Sequence, residues 1–424
     1  MAAIVLVVLL AGLTFLFQMR PRSLLNDYKS RLSKKSKLVA PHKENEANVV
    51  SKESDFPTDW WAGSDLFELE RRAIFSKRWL CLSHRSRFSR AGDYHSYEVA
   101  GIPIFLILGK DGVVRAFHNV CRHRAYTVTR KESGSSLVLG CRYHGWSFNT
   151  YGQLVKAPHF DQVPGFDRSQ NGLFAIHTAT TSFDFILVNL EASATVAPLE
   201  ASPFDFLASR HGLGGQSTWV GGQTMEGQFN WKICLRLKRF IDDETWVQDL
   251  PRQAYTLLLW RLSSNLRKHS DDIRVSPFTT IHTVKNTVYW YSLSFIPISE
   301  RRTSIRFDLY CSKDSGNLDS FTIPKRLIDL LTKRTLALEV EYKSFTDDSG
   351  FAAITIPTLD PNTEVAQKEI LDLLKSHTKL ERQQGTEVFP ATRKPRKNAR
   401  FEQAEQLCKE LDCQDTLNRK SLAW

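Results

Sequence analysis

Between residues 57 and 120 the spacing of hydrophobic and polar positions changes from a helical period to a strand-like one. Leu66, Leu69 and Ile74 recur at helical spacing and predict an amphipathic helix. The runs that follow, YHSYEVAG, IPIFLIL and VVRAFHNV, are rich in β-branched and aromatic residues, and the turn GKDG separates the last two. The pattern therefore predicts a helix and then antiparallel strands that lead directly to Cys121.

The second half of the chain shows the same two kinds of pattern. The segments TTIHTVKNTVYWYSLSFIPIS and RRTSIRFDLYCS alternate like antiparallel strands, with ISERR as the turn between them. The segments AQKEILDLLKSHTKLERQ and FEQAEQLCKELDC have the spacing of helices. The pattern as a whole predicts an α+β protein.

The amino-terminal segment predicts a membrane anchor. No charged side chain precedes Arg20, and an apolar run extends from Ala2 to Phe17. Such a run is about 25 Å long as a helix, near the lower limit for crossing a bilayer. Basic residues follow it, and the positive-inside tendency then predicts that the folded domains face the cytosol. A cleaved signal peptide is the competing interpretation. We expect a single-pass anchor over residues 1–19 and a flexible basic stalk over residues 20–56.

Length and charge narrow the class of protein. A chain of 424 residues exceeds what one hydrophobic core usually organises, so two folded domains are expected. The net charge is +11 and the isoelectric point about 9.3, but the basic residues are spread along the chain, which argues against a nucleic-acid partner. Seven scattered cysteines are too few for a disulfide framework and favour a reducing compartment or a metal site.

Two short motifs carry the chemistry of the first half. Cys121 and His123 form C-x-H, and Cys141 and His144 form C-x-x-H. Two loops that each supply one thiolate and one imidazole are what a Rieske [2Fe–2S] cluster needs, because one iron takes both sulfurs and the other takes both histidine nitrogens. These four residues are therefore the predicted cluster ligands.

A structural zinc site is the alternative, since two cysteines and two histidines also suit tetrahedral Zn²⁺. Zinc fingers usually place like ligands together, whereas each pair here is mixed. Gly140 and Gly145 stand beside the second pair, where tight loops are expected to pass close to the metal. The spacing favours the Rieske interpretation.

The segment NVCRHRAYTVTRKESGSSLVLGCRYHGWSFNTYGQLVKAPHF resembles the Rieske domain of the non-haem iron ring-hydroxylating oxygenase family, in its choline monooxygenase-like branch from fungi and plants. Respiratory Rieske proteins have an extra cysteine in each loop, and this chain has none there. The resemblance extends upstream through FELERRAIFSKRWL and downstream through FDFILVNLEAS to FNWK. It returns at WYSLSFIPISERRTSIRFDLY.

The resemblance does not extend to the ligands of the family's second metal. The family implies a mononuclear Fe(II) that binds O₂ and is held by two histidines and a carboxylate, with H-x₄-H shortly after an N-W-K motif. That motif is present at residues 230–232, but no histidine follows before residue 269. The single histidines that remain are His269, His282 and His377, and the nearby carboxylates are Asp242, Asp243, Glu244, Glu339, Glu341, Asp347 and Asp348. The mononuclear iron ligands therefore stay unassigned.

Three explanations of this break remain open. Residues 233–273 could come from a wrong exon boundary or a frameshift, because family-like sequence stops after NWK and resumes near SPFTTIHTV. The protein could have kept its cluster and lost oxygen chemistry, or it could bind iron through new ligands. Sequencing the transcript across codons 225–285 separates the first explanation from the other two.

The resemblance implies a complete architecture. We expect an all-β Rieske domain over residues 57–218 and a helix-grip catalytic-type domain, an antiparallel sheet with a long helix, over residues 219–424, degenerate around 233–273. It implies an oxygenase that hydroxylates a small organic substrate, choline being one candidate, with electrons from a separate NAD(P)H-dependent reductase or ferredoxin and with a homotrimer as the assembly. The alternative is a cluster-bearing electron carrier or interaction protein without the second iron.

Overall fold

The computed structural model describes most of the chain after residue 55. The described residues are 56, 57, 59–160, 163–200, 204–206, 213, 217–237, 240, 241, 272–284, 287, 289–312, 325–346 and 361–388. Contacts divide the chain into residues 1–55 and 56–424, so every described residue belongs to the second unit. The boundary predicted near residue 218 stays a prediction.

The first half of this unit contains a seven-stranded sheet in the order β1-β10-β9-β4-β3-β2-β5, with neighbours antiparallel. Its strands are β1 (Leu80–His84), β2 (Asp93–Val99), β3 (Ile102–Leu108), β4 (Val114–His118), β5 (Ser133–Ser135), β9 (Ala175–Thr180) and β10 (Phe185–Asn189). The strands predicted before Cys121 are confirmed as β2, β3 and β4. A two-residue turn with positive φ at Ala100 and Gly101 joins β2 to β3, as the twist of a tight hairpin requires.

A small three-stranded sheet lies within the same half, in the order β6-β7-β8. Its strands are β6 (Val138–Gly140), β7 (Ser147–Asn149) and β8 (Leu154–Lys156). Buried residues of this sheet and of the larger one form a separate core around Trp146 and Phe148. The chain segments that follow β4 and β6 therefore begin at strands that are packed on this core.

The second half contains a five-stranded antiparallel sheet in the order β11-β15-β14-β13-β12. Its strands are β11 (Thr218–Gly227), β12 (Asp272–Ser276), β13 (Thr279–Thr283), β14 (Tyr289–Ser299) and β15 (Arg302–Cys311). Alternate side chains take opposite faces. Trp290 and Tyr310 pack against Phe185 of β10, whereas Tyr291 and Phe307 join the core that includes the helices. One face of this sheet therefore contacts the first half and the other forms a groove.

Three helices and three 3₁₀ segments complete the described structure. They are α1 (Ser64–Glu70), continued by a π-helical turn (Arg71–Phe75), α2 (Lys325–Thr346), α3 (Pro361–Gln384), and 3₁₀ turns at Arg85–Arg87, Arg168–Asn171 and Trp231–Arg236. Leu327, Leu331 and Leu338 recur at helical spacing and bury one side of α2 in the core of the second sheet. The structure thus has the predicted α+β class, with an antiparallel sheet and a long helix in its second half.

A buried ion pair joins the beginning of the first half to the second. The Lys232 ammonium donates to one Glu70 oxygen at 2.5 Å, and the Trp231 indole donates to the other at 2.7 Å. Glu70 and Lys232 are 0% and 1% exposed. Burial lowers the pKa of Lys232, and the Glu70 carboxylate opposes that shift. Because each charge is removed from water, each depends on the other.

The predicted membrane localisation is wrong for the part of the chain that can be tested. Among the described residues no helix is both long and apolar enough to cross a bilayer. The predicted anchor over residues 1–19 lies outside the described residues, as does the stalk except for residue 56. The apolar run that suggested the anchor is also shorter than the roughly 20 residues that a bilayer core requires. The short apolar run is therefore weak evidence for a membrane anchor.

The ion pair yields a stability prediction. Lys232→Met leaves the Glu70 carboxylate buried without its cation, so we expect the free energy of unfolding to fall by about 3–5 kcal/mol. The measurement is urea denaturation followed by tryptophan fluorescence. The double variant Glu70→Gln with Lys232→Met should recover part of the loss, because no unpaired charge remains.

The matched control is Asp111→Asn, which breaks the ion pair with Arg115 on the surface. Its denaturation midpoint should stay at the wild-type value, since exposed ion pairs contribute little. Equal midpoints for wild type and Lys232→Met would refute the role assigned to the pair.

Candidate functional site

The two predicted ligand loops have the same backbone construction. In the first, the Cys121 amide donates to the Tyr126 carbonyl at 2.7 Å, and the Ala125 amide donates to the Cys121 carbonyl at 3.0 Å. In the second, the Cys141 amide donates to the Trp146 carbonyl at 2.8 Å, and the Gly145 amide donates to the Cys141 carbonyl at 3.0 Å. Each cysteine therefore begins a closed turn whose form is set by local hydrogen bonds.

The fourth residue after each cysteine has a left-handed backbone. Gly145 has φ +73° and Ala125 has φ +56°. Glycine takes this conformation without a steric penalty, whereas alanine does not. Gly145 thus has the positive φ that a tight loop uses, whereas Gly140 lies in strand β6 without positive φ. The first loop uses alanine where the second uses glycine.

The turns bring both sulfurs together and direct amides at them. The Cys121 and Cys141 thiols hydrogen bond to each other, and their residues are 3% and 4% exposed. The amides of His123 and Arg124 donate to the first sulfur, and those two and three residues beyond Cys141 donate to the second. The hydrogen bond from Cys121, together with these amides, lowers the pKa of Cys141 to about 6 although burial raises it. The same hydrogen bond, together with burial, raises the pKa of Cys121, so the pair of sulfurs favours one negative charge, on Cys141.

The two histidine rings face each other beside the sulfurs. The ring centroids of His123 and His144 are 4.5 Å apart at 71°. His123 is buried and stacks on Trp146 at 5.1 Å and 12°, with Phe160 edge-on at 5.1 Å. His144 is half-buried and lies against Tyr143, whose ring stacks on the exposed Tyr126 at 4.1 Å. One histidine is thus enclosed, and the other lies at the protein surface.

The four residues fit a [2Fe–2S] cluster. The paired sulfurs suit one iron, the facing imidazoles suit the other, and amides directed at the sulfurs stabilise the negative charge of a bound cluster. The sequence predicted all four side chains, and the structure brings all four together. The assignment of Cys121, His123, Cys141 and His144 as ligands remains a prediction that this geometry supports.

The candidates for the second metal are not brought together in the described residues. His282 hydrogen bonds to Asp272 in the second sheet, and His377 hydrogen bonds to Glu381 on α3. Glu339 accepts a hydrogen bond from the Gln228 amide. In the described part of the chain, no three His, Cys, Asp or Glu side chains are grouped to hold a single metal ion. Glu341 forms an ion pair with Arg236 at 3.7 Å. The remaining candidates lie outside the described residues: Asp242, Asp243, Glu244, His269, Asp347 and Asp348.

A pocket opens in the groove of the second sheet, on the face that also contacts the helices. The segment after the N-W-K motif forms one wall of the pocket. The 3₁₀ turn that begins at Trp231 leads to Leu237 and Phe240, which line the pocket. The pocket is lined by Cys234, Leu237, Phe240, Asp272, Arg274, Pro277, Phe278, Thr280, His282, Leu293 and Phe295. Burial raises the pKa of Cys234 to about 12, so this thiol is neutral.

Sequence reasoning missed the polar group in this pocket. Asp272, Thr280 and His282 are joined by short hydrogen bonds, but they belong to two neighbouring strands. The only signal in the sequence is that Thr280 and His282 are two residues apart in a predicted strand and so share a face. The position of Asp272 opposite His282 depends on the strand register, which the sequence alone does not reveal.

Comparisons with known proteins identify the first half. Residues 78–167 match the family model of the Rieske [2Fe-2S] domain. The oxygenase subunit of carnitine monooxygenase from Acinetobacter baumannii is 35% identical over 140 residues, which are 33% of this chain and 38% of that protein. The alpha subunit of chlorobenzene dioxygenase from Cupriavidus sp. is 32% identical over 111 residues, which are 26% of this chain and 25% of that protein.

A solved structure extends the likeness to the second half. The apo form of a quaternary ammonium Rieske monooxygenase matches with a TM-score of 0.56 and 22% identity, over 75% of this chain and 94% of that one. Residues 78–167 therefore form a Rieske [2Fe–2S] domain, and three quarters of the chain share the fold of that monooxygenase. By sequence, the chain aligns with only 38% of the length of the carnitine monooxygenase subunit.

The cluster yields a spectroscopic prediction. His144→Cys replaces a neutral imidazole by an anionic thiolate, so we expect the reduction potential to fall, on the order of hundreds of millivolts, towards the range of all-cysteine clusters. Voltammetry and electron paramagnetic resonance of the purified protein measure the change. The matched control is His177→Cys, because His177 bonds to the Ser193 carbonyl elsewhere on the first sheet. A wild-type spectrum in His144→Cys would show that His144 is not a ligand.

Proposed function

We propose that this chain is the oxygenase subunit of a Rieske non-haem iron enzyme that uses O₂ to oxidise a small organic molecule. The observation that carries the proposal is the convergence of two cysteines and two histidines in one Rieske domain, on the fold of an oxygenase alpha subunit. The relatives support the same class, since one is named as the oxygenase subunit of a monooxygenase and the other as the alpha subunit of a dioxygenase.

The two halves of the protein have different roles in this proposal. Cys121, Cys141, His123 and His144 would hold the [2Fe–2S] cluster, which transfers one electron at a time when bound. The half-buried His144 edge is the side from which an electron can enter or leave. The sequence has no nucleotide-binding glycine motif, so we propose a separate NAD(P)H-dependent reductase or ferredoxin as the donor.

The second half would hold the mononuclear iron and the substrate. The pocket beside the N-W-K motif supports this, because it combines an apolar lining with a few polar groups, as binding sites for small molecules do. We propose that the protein forms the homotrimer that the family resemblance implies. In that assembly the cluster of one subunit would transfer electrons to the iron of its neighbour.

A quaternary ammonium compound is the substrate class that we propose first. The lining includes the rings of Phe240, Phe278 and Phe295, and aromatic faces attract such cations. Arg274 lies in the same lining and suits a carboxylate. A zwitterion with both groups, such as carnitine, therefore fits this pocket better than choline, which has no carboxylate.

Metal content tests the proposal. The protein as purified should contain about three irons per two acid-labile sulfides, because one iron is added to each [2Fe–2S] cluster. With an NAD(P)H-dependent Rieske reductase, O₂ uptake should rise when L-carnitine is added and less when choline is added.

Two irons per two sulfides, with no O₂ uptake on any probe, would instead support the cluster-bearing electron carrier. Cys121→Ser serves as the control variant, because it should lose the cluster absorbance and the O₂ uptake together.

A further inference from the structure

A second groove lies on the surface of the Rieske domain, beside the two ligand loops. It is lined by Tyr126 and Tyr143, by Arg142, by residues 127–131 and by parts of strands β5 and β6. None of the four candidate cluster ligands is part of this lining. We call it the Rieske groove, and it offers a surface from which a partner can approach the candidate cluster site.

Two stacked rings connect the Rieske groove to a candidate ligand. The ring centroids of Tyr126 and Tyr143 are 4.1 Å apart at 16°, and the Tyr143 ring centroid is 3.9 Å from that of the His144 imidazole. Tyr126 is exposed. A molecule that touches Tyr126 is therefore two ring contacts away from His144, and electron transfer is fast only over short distances.

The charge of the Rieske groove is positive. Arg130, Lys131 and Arg142 line it and are exposed, and the described lining contains no aspartate or glutamate. Glu132 follows Lys131 in the chain, but its carboxylate forms an ion pair with Arg306 of the second sheet at 3.5 Å. The three cations of the groove are thus available to an anionic partner.

Exposed apolar side chains accompany these cations. Tyr126 and Val138 line the Rieske groove, Leu137 precedes Val138 in the chain, and all three are exposed. Protein interfaces are enriched in aromatic residues and arginine and have a polar rim around an apolar centre. The groove therefore has the composition of a protein-docking surface, and its charge suits an acidic protein.

The net charge of the chain selects among possible partners. A second copy of this chain carries the same charge of +11, so its approach to a basic groove brings like charges together. A nucleic acid matches the charge, but it makes no use of the ring contacts that lead to His144. An acidic electron carrier matches both the charge and the position of the groove.

We propose that the Rieske groove is the docking surface for an acidic [2Fe–2S] ferredoxin domain, an inference that rests on the electron-transfer part of the proposed function. Plant-type ferredoxins have lower reduction potentials than Rieske clusters. One electron therefore passes from the reduced ferredoxin, which becomes oxidised, to the oxidised Rieske cluster, which becomes reduced. No covalent bond forms or breaks, and the residues of the groove hold the two proteins together.

A charge-reversal variant tests this docking surface. The probe is a strongly acidic plant-type [2Fe–2S] ferredoxin, and surface plasmon resonance with the cluster-loaded protein measures its binding. In the double variant Arg130→Glu with Lys131→Glu, the association rate at low ionic strength should fall by about tenfold or more, because rim charges act mainly on association. The dependence of that rate on salt should weaken as well.

The matched control is the double variant Lys325→Glu with Arg326→Glu. It reverses another adjacent pair of exposed cations, at the beginning of α2, and changes the net charge by the same amount. Its association rate and salt dependence should stay close to wild type. The comparison therefore separates a local docking surface from a general attraction between a basic and an acidic protein.

The aromatic part of the groove has its own test. Tyr126→Ala should raise the Kd for ferredoxin by about tenfold, as truncation of an interface tyrosine often does. Tyr126→Phe keeps the ring and should keep the wild-type Kd. In stopped-flow experiments with reduced ferredoxin at subsaturating concentration, the cluster of Tyr126→Ala should be reduced more slowly than that of Tyr126→Phe.

Two results would overturn the docking surface. One is an association rate that is equal in wild type and in Arg130→Glu with Lys131→Glu, or that falls equally in the control. The other is a different occupant of the groove. A changed oligomeric mass of the groove variant would indicate a second copy of this chain, and loss of binding to a single-stranded oligonucleotide alone would indicate a nucleic acid.

The proposed function has a separate outcome. If ferredoxin binding fails as described while wild type shows substrate-dependent O₂ uptake with its reductase, only this inference falls. If ferredoxin docks as expected but wild type consumes no O₂ with any substrate, the docking surface is supported and the proposed oxygenase activity falls alone.

Discussion

The buried contact between Glu70 and Lys232 organises the protein. Two opposite charges at 0% and 1% exposure are tolerable only as a pair, because either one alone in the interior costs several kcal/mol. The pair ties α1, which precedes the Rieske sheet, to the N-W-K motif, which opens the second half. The segment after that motif lines the pocket. One contact therefore positions both the Rieske half and a wall of the groove.

The cluster site depends much less on such long-range contacts. Each ligand loop closes on itself through two backbone hydrogen bonds, and both loops leave short strands packed on one aromatic core. The protein thus builds its candidate cluster site from local turns and places a buried histidine and a half-buried one at its edge. That asymmetry gives the site a face toward solvent or a partner, which a relay of electrons requires.

The second sheet separates two functions by its two faces. Trp290 and Tyr310 secure it to the Rieske half, while the opposite face contributes Thr280 and His282 to the pocket. Because side chains alternate along a strand, β13 and β14 can serve packing and chemistry at neighbouring positions. In the proposed enzyme this face would supply substrate contacts, and the electrons would arrive from the Rieske domain.

The sequence by itself determined the Rieske domain, its four ligand candidates, the strands before Cys121 and the α+β class, because these depend on local spacing. It misjudged the membrane anchor, where a short apolar run is weak evidence. Only the tertiary structure brought Glu70 to Lys232 and Asp272 to His282, since these pairs depend on domain packing and strand register rather than on separation along the chain.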